Sequence, residues 1–197
     1  RPAPHVFITA NGGTADLICA RVDLGSVSGS PIAYALPDML RIPLGSMPGM
    51  AATLDLLVDE SNGELCGRQA AMNRLCELLL IHLFRYLMNS ESAPTGLLAG
   101  LADKRLAKAI TAIHEQPAEA WTLDRMADAA GMSRARFAAA FRGTVGCTPG
   151  AYLSVWRINL ACKYLRQGKP VAWTADAVGY GSATALARAF RANTGQS

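Results

Sequence analysis

Ala127-Asp128-Ala129-Ala130-Gly131 recurs further along the chain as Ala175-Asp176-Ala177-Val178-Gly179. Gly181 adds one residue to the second copy, after which Ser133, Phe141-Arg142 and Gly146 match Ser182, Phe190-Arg191 and Gly195. A short apolar-faced segment, a glycine, a serine and a second segment with two apolar anchors predict helix, turn and capped helix. Each copy therefore reads as a helix-turn-helix, and two in one chain point to a clamp on double-stranded DNA.

In the first copy Leu123, Met126 and Ala130 are the expected inner face of the supporting helix, and the small Ala127 lets the two helices approach. Gly131 supplies the turn, where a side chain would resist positive φ. Ser133 is expected to cap the second helix, which Phe137 and Phe141 anchor in the core. Ala135, Ala138, Ala139 and Arg142 then share the outward, base-facing side at i, i+3, i+4, i+7 spacing. Ser133, Arg134 and Arg136 stand where phosphates would pass.

The second copy turns Ala175, Leu186 and Phe190 inward and uses Gly179 for its turn. Ser182 is its cap and phosphate contact, and Thr184, Ala187, Arg188 and Arg191 face outward. Arg188 is the leading base reader, because a guanidinium matches the O6/N7 pair of guanine bidentately. The first face, mostly methyls, would read thymine methyls or DNA shape and chiefly position the protein. Between the copies a helix is predicted from about Ala151 to Arg166, ending at Gly168, with Lys163 and Arg166 near its negative end. It would span about 24 Å, a strut for two recognition helices about 34 Å apart.

Charge follows the same division. The net charge is +4, but residues 1–100 hold six Lys/Arg against nine Asp/Glu, and residues 101–197 hold thirteen against six. A basic C-terminal half is the footprint of a polyanion binder. Apolar residues make up 51% of the chain, enough for a core. The five cysteines (Cys19, Cys66, Cys76, Cys147, Cys162) are dispersed and lack C-x-x-C spacing, which fits a reduced cytoplasm. The most apolar run, Leu78 to Phe84, is too short to span a bilayer, and no membrane partner is expected. Arg1 stands in place of an initiator Met and the chain stops just past the second repeat, so a fragment trimmed at both ends is expected.

Residues 1–65 are rich in Gly, Pro and β-branched residues. Val6–Thr9 and Ala15–Leu24 read as strands, the latter through Leu17, Cys19 and Val22. Ala51–Asp59 reads as a short helix closed by Ser61-Asn62-Gly63. A long helix follows over Arg68–Met88, with Leu75, Leu78, Leu79, His82, Leu83 and Tyr86 at helical spacing. Its wide apolar face suits core burial or a second subunit across it, so these six are the dimerisation candidates. Ser90–Thr95 reads as linker. Asp103–Glu115 is an amphipathic helix with Leu106, Ile110 and Ile113 inward, Asp103 as N-cap or first-turn acid and Pro117 beyond its end. Thr122 caps the helix after it, with Arg125 where a full capping box has Glu.

From Leu101 to Ser197 the chain resembles the AraC/XylS family of bacterial transcription regulators. The resemblance rests on Gly131-Met132-Ser133, Phe141 to Gly146, Tyr152-Leu153, Trp156-Arg157, Val178 to Ser182, Arg188-Ala189-Phe190 and Thr194-Gly195. Thr174 departs from the family's usual Ile or Val, implying looser packing of the second supporting helix, and the family's last short helix after Gly195 is missing. Leu17 to Arg21, Pro31, Ala35-Leu36-Pro37 and the Arg68–Met88 helix resemble the tail of the cupin-type sensor found in one branch. The expected fold is therefore a mainly α C-terminal domain with two helix-turn-helix units joined by a long helix. Before it stands an α+β remnant of a cupin-like β-barrel with a dimerisation-type helix. Residues 1–92 form the sensor and dimerisation region, 93–100 a linker and 101–197 the DNA-binding domain. The resemblance implies a homodimer, taken as an activator, with an RNA polymerase contact and a small-molecule or redox effector.

An enzyme is not expected. His5, His82 and His114 lie in no metal spacing, no G-x-S-x-G or Walker sequence occurs, and Gly179-Tyr180-Gly181 lacks a dinucleotide loop's third glycine. No cofactor or metal is expected. Cys19 reads as a small buried hydrophobe, with a redox- or metal-responsive thiol as the alternative, Cys147 and Cys162 read as structural, Tyr152 and Trp156 as core, and Trp173 has no evident partner. The competing function is a protein-interaction module or dimerisation scaffold that has lost specific DNA binding, which the alanine-rich first face favours.

Overall fold

The computed structural model describes residues 6–8, 14–16, 42, 47–89 and 95–194. Its two compact units divide between Tyr86 and Leu87.

In the first unit, β1 (Val6–Ile8) pairs antiparallel with β2 (Thr14–Asp16), Phe7 opposite Ala15. The strand expected over Ala15–Leu24 thus begins at Thr14, and its residues Leu17, Cys19 and Val22 lie outside the described residues. Helix α1 runs Pro48–Asn62, longer than the Ala51–Asp59 expected. Its extra first turn starts on Pro48, whose missing N–H is no loss there and whose fixed φ suits a helix start. Leu57 is buried on this helix, and the buried Thr53 hydroxyl donates to Gly49 O at 2.8 Å. Helix α2 covers Arg68–Asn89. Arg68 joins the two helices, Nε donating to Glu60 O at 3.0 Å and Nη2 to Ser61 O. No helix among the described residues is long and apolar enough to cross a membrane.

The second unit holds α3 (Leu97–Ala102), α4 (Lys104–Glu115), α5 (Leu123–Ala129), α6 (Arg134–Val145), α7 (Pro149–Arg166), α8 (Val171–Ala177) and α9 (Ala183–Thr194). Helix α3 falls within the stretch read as linker and the start of the domain, and buries Leu97, Leu98 and Gly100. A Cβ on Gly100 would come 2.7 Å from Ile110 Cδ1 and 2.8 Å from Val145 Cγ2, so the glycine sets how closely α3 seats. Asp103 caps α4 as expected, accepting from Arg105 N at 2.8 Å and Leu106 N at 3.0 Å. Leu106, Ile110 and Ile113 are buried.

Two cores follow along α7. At its N-terminal end, Phe141 meets Phe137 and Tyr152 with ring centroids 5.5 Å apart in each pair. At its C-terminal end Ile158, Ala161 and Cys162 pack with Ala175, Val178 and Leu186. Each helix-turn-helix therefore has its own core, and one continuous helix serves both. That helix starts two residues earlier than expected, because Thr148 caps it and Pro149 occupies its first turn.

Candidate nucleic-acid interface

The two turns are built by the same hydrogen bonds. In the first, Gly131 N donates to Asp128 O at 2.9 Å and Met132 N to Ala127 O at 3.0 Å. In the second, Gly179 N donates to Asp176 O at 3.0 Å and Tyr180 N to Ala175 O at 2.8 Å. This pairing, with a left-handed residue at the turn, satisfies carbonyls that a helix end leaves open. Gly131 (φ +62°) and Gly179 (φ +81°) supply that residue. Thr122 Oγ1 accepts from Arg125 N at 3.2 Å to start α5, and Ser182 Oγ from Ala185 N at 3.1 Å to start α9. Ser133 occupies the equivalent place before α6 with extended backbone, but its hydroxyl makes no cap bond. The serine is thus at the expected cap position without doing the expected capping.

Most of the sequence-derived surface residues are exposed: Ala135, Ala139 and Arg142 on α6, and Thr184, Ala187, Arg188 and Arg191 on α9. Ser133, Arg134, Arg136 and Ser182 are exposed beside them. Ala138 differs. It is half-buried and lines a hollow of about 440 Å³ with Ala139, Arg142, Met126, Leu153 and Trp121. Its methyl therefore forms the wall of a recess at the edge of the face instead of projecting from it. Arg134 pairs with Asp124 at 3.3 Å, whereas among the described residues no ion pair engages Arg136, Arg142, Arg188 or Arg191.

The aromatic residues of the connecting region are structural. Tyr152 is buried; Trp156 is half-buried and stacks on His114 with centroids 3.7 Å apart. Trp173 does have partners: Tyr164 meets it edge-on at 5.2 Å, and Lys169 Nζ lies 5.4 Å from its ring centre. Thr174 is fully buried, so α8 is seated rather than loosened, but its hydroxyl has no hydrogen-bond partner. Burial raises the Cys147 and Cys162 thiols above their ordinary range, which disfavours the reactive thiolate. Cys19 lies outside the described residues. Among the described residues no three His, Cys, Asp or Glu side chains gather as a metal site.

On α2, Leu78 is exposed, while Leu75, Leu79, His82, Leu83 and Tyr86 are half-buried. The His82 ring lies close against Gly49 of α1, since a Cβ there would come 2.9 Å from its Cε1. Ile81, which the sequence reading passed over, is 45% exposed.

One residue entered the sequence reading only as part of the Trp156-Arg157 pair, with no role given to it. Arg157 of α7 donates from Nε to Pro117 O (2.8 Å), from Nη2 to Glu119 O (2.7 Å) and from Nη1 to Gly179 O (3.3 Å). Its three acceptors are backbone carbonyls, which leave no side-chain signature.

Two turns of one design, each followed by a helix with an exposed polar or methyl face, define a double helix-turn-helix protein. A family model described as a helix-turn-helix domain matches residues 126–197, and one described as cupin matches residues 1–89. Putative AraC-like transcription regulators of Streptomyces antibioticus and Streptomyces lividans are each 39% identical, the match covering 79% of this chain and 53% of theirs. A crystal structure of the DNA-binding domain of AdpA in complex with a target DNA is 29% identical, covering 46% of this chain and 83% of that one, with a TM-score of 0.44. By these matches the chain is similar to AraC-like transcription regulators over most of its length. It spans about half the length of the curated relatives it matches.

Proposed function

We propose that this chain binds duplex DNA sequence-specifically, with α6 and α9 in successive major grooves on one face of the helix. The supporting observation is the repeated turn: the same bonds orient both second helices, and each exposes its outward face. Thr184, Ala187, Arg188 and Arg191 on α9 supply base contacts, with Arg188 the bidentate reader of guanine. Ala135, Ala138, Ala139 and Arg142 on α6 fit a shallower, methyl-based readout, and Ser133, Arg134, Arg136 and Ser182 hold phosphates. Arg134 would exchange Asp124 for a phosphate at little cost, since exposed pairs contribute about 0–1 kcal/mol.

Residues 1–92 serve as part of a cupin-type sensor and dimerisation region, 93–100 as a linker and 101–197 as the DNA-binding domain. The cupin match over 1–89 supports the first assignment. In this reading Leu75, Leu78, Leu79, His82, Leu83 and Tyr86 pair two subunits of a cytoplasmic homodimeric activator. A small-molecule or redox signal is coupled to DNA binding, and RNA polymerase is contacted once DNA is held. A protein-interaction module is the second reading, favoured by the methyl-rich face of α6.

Mobility-shift titrations on a pool of random-sequence duplexes at two salt concentrations separate the two. A DNA clamp that neutralises about four phosphates gives a slope of roughly −4 in log affinity against log salt. No shift at low salt contradicts the proposal.

A further inference from the structure

Arg157 lies where the two helix-turn-helix units meet. It projects from the middle of α7, and its guanidinium bonds to Pro117 O and Glu119 O, in the segment leading into α5, and to Gly179 O, in the turn between α8 and α9. One planar group thus holds the entrance of the first unit against the turn of the second, with its carbon Cζ 5.7 Å from the Tyr180 ring centre. The same junction explains why Gly179 is more demanding than Gly131. A Cβ on Gly131 meets nothing within 4 Å, whereas one on Gly179 would come 2.7 Å from Arg157 Nη2 and 2.9 Å from Ala118 Cα and O. The backbones of the two units touch there, and only a residue without a side chain fits.

The apolar cores cannot replace this link. Each belongs to one unit, and side chains packed around a shared helix resist separation better than they resist rolling about it. A fork of N–H donors in fixed geometry supplies directional restraint. An ammonium at this position would present one nitrogen to carbonyls that lie on two sides of the guanidinium.

We propose that Arg157 is a positioning residue that fixes the orientation of one helix-turn-helix unit relative to the other, and so the half-site spacing that the protein accepts. The spacing half rests on the DNA-binding function proposed above; the orientation half does not.

The test uses the full chain in two parts. Residual dipolar couplings of the backbone amides report relative orientation without DNA. In the wild type, couplings from α4–α6 and α8–α9 fit one alignment tensor, and in Arg157→Met they require two. Arg157→Lys, which keeps stem and charge, is the second variant if the first fails to fold, and also requires two. A single tensor of wild-type magnitude in a folded variant overturns the proposal. The second part is selection from random duplexes of about 40 base pairs, long enough for two half-sites one turn apart. The wild type selects two half-motifs at one spacing, and the variant selects the same half-motifs over several spacings. One unchanged spacing in the variant overturns the spacing half. A wild type that selects no bipartite site instead contradicts DNA binding and leaves the dipolar-coupling result standing.

Discussion

The Nε2 of His114 on α4 and the hydroxyl of Tyr152 on α7 lie 2.6 Å apart, and the same imidazole is stacked on Trp156. This contact ties α4, which precedes the first helix-turn-helix, to the connecting helix. Burial lowers the His114 pKa from 6.5 to about 4, and burial followed by the nearby Cys147 thiol raises that of the Tyr152 phenol. Both groups are therefore neutral at pH 7, because burial away from water disfavours their charged forms.

The consequence is a pH dependence of stability. The unfolded chain protonates this histidine near 6.5 and the folded chain only near 4, so the unfolded state binds more protons between those values. Stability is lost as pH falls through that window, by about 1 kcal/mol at pH 5 after allowing for partial solvent screening. Urea midpoints from pH 7 to 5 should fall in the wild type and flatten in His114→Gln, which retains a hydrogen-bonding group. An equally steep fall in the variant would assign the effect elsewhere.

Thr174→Val should stabilise the protein by about 1 kcal/mol, because it replaces a buried hydroxyl lacking a partner with a methyl of similar shape. A lower urea midpoint in the variant would mean that the hydroxyl has a partner in solution.

The two turn glycines should respond unequally. Gly131→Ala incurs only the positive-φ penalty, about 1 kcal/mol. Gly179→Ala adds the clash with Ala118 and Arg157 and should cost at least about 1 kcal/mol more. Equal losses by thermal denaturation would deny the close approach at the second turn.

Much of the helix-turn-helix half was legible because local chemistry and fold agree. Asp103 and Thr122 cap the helices they precede, and Gly131 and Gly179 mark turns that only they accommodate easily. What escaped the sequence depends on tertiary placement. Leu97 and Leu98 lie in too short an apolar run to distinguish a buried helix from a linker. Ala138 has the helical spacing of an outward residue, but the curvature of its surroundings makes it a wall. Trp173 finds Tyr164 across a turn that periodicity does not describe. At the surface, exposure was readable from helical spacing, whereas a capping bond at Ser133 depends on a hydroxyl rotamer that no pattern records.

The central claim is that specificity resides mainly in the second unit, through Arg188. The most direct measurement is the affinity of wild type and Arg188→Ala for a selected duplex and for its scrambled counterpart, at one salt concentration. Loss of a bidentate guanine contact costs about 1–3 kcal/mol, or roughly 5- to 150-fold, on the selected duplex alone. Binding to the scrambled duplex should change little. An equal loss on both duplexes would reduce Arg188 to a phosphate contact and contradict the account.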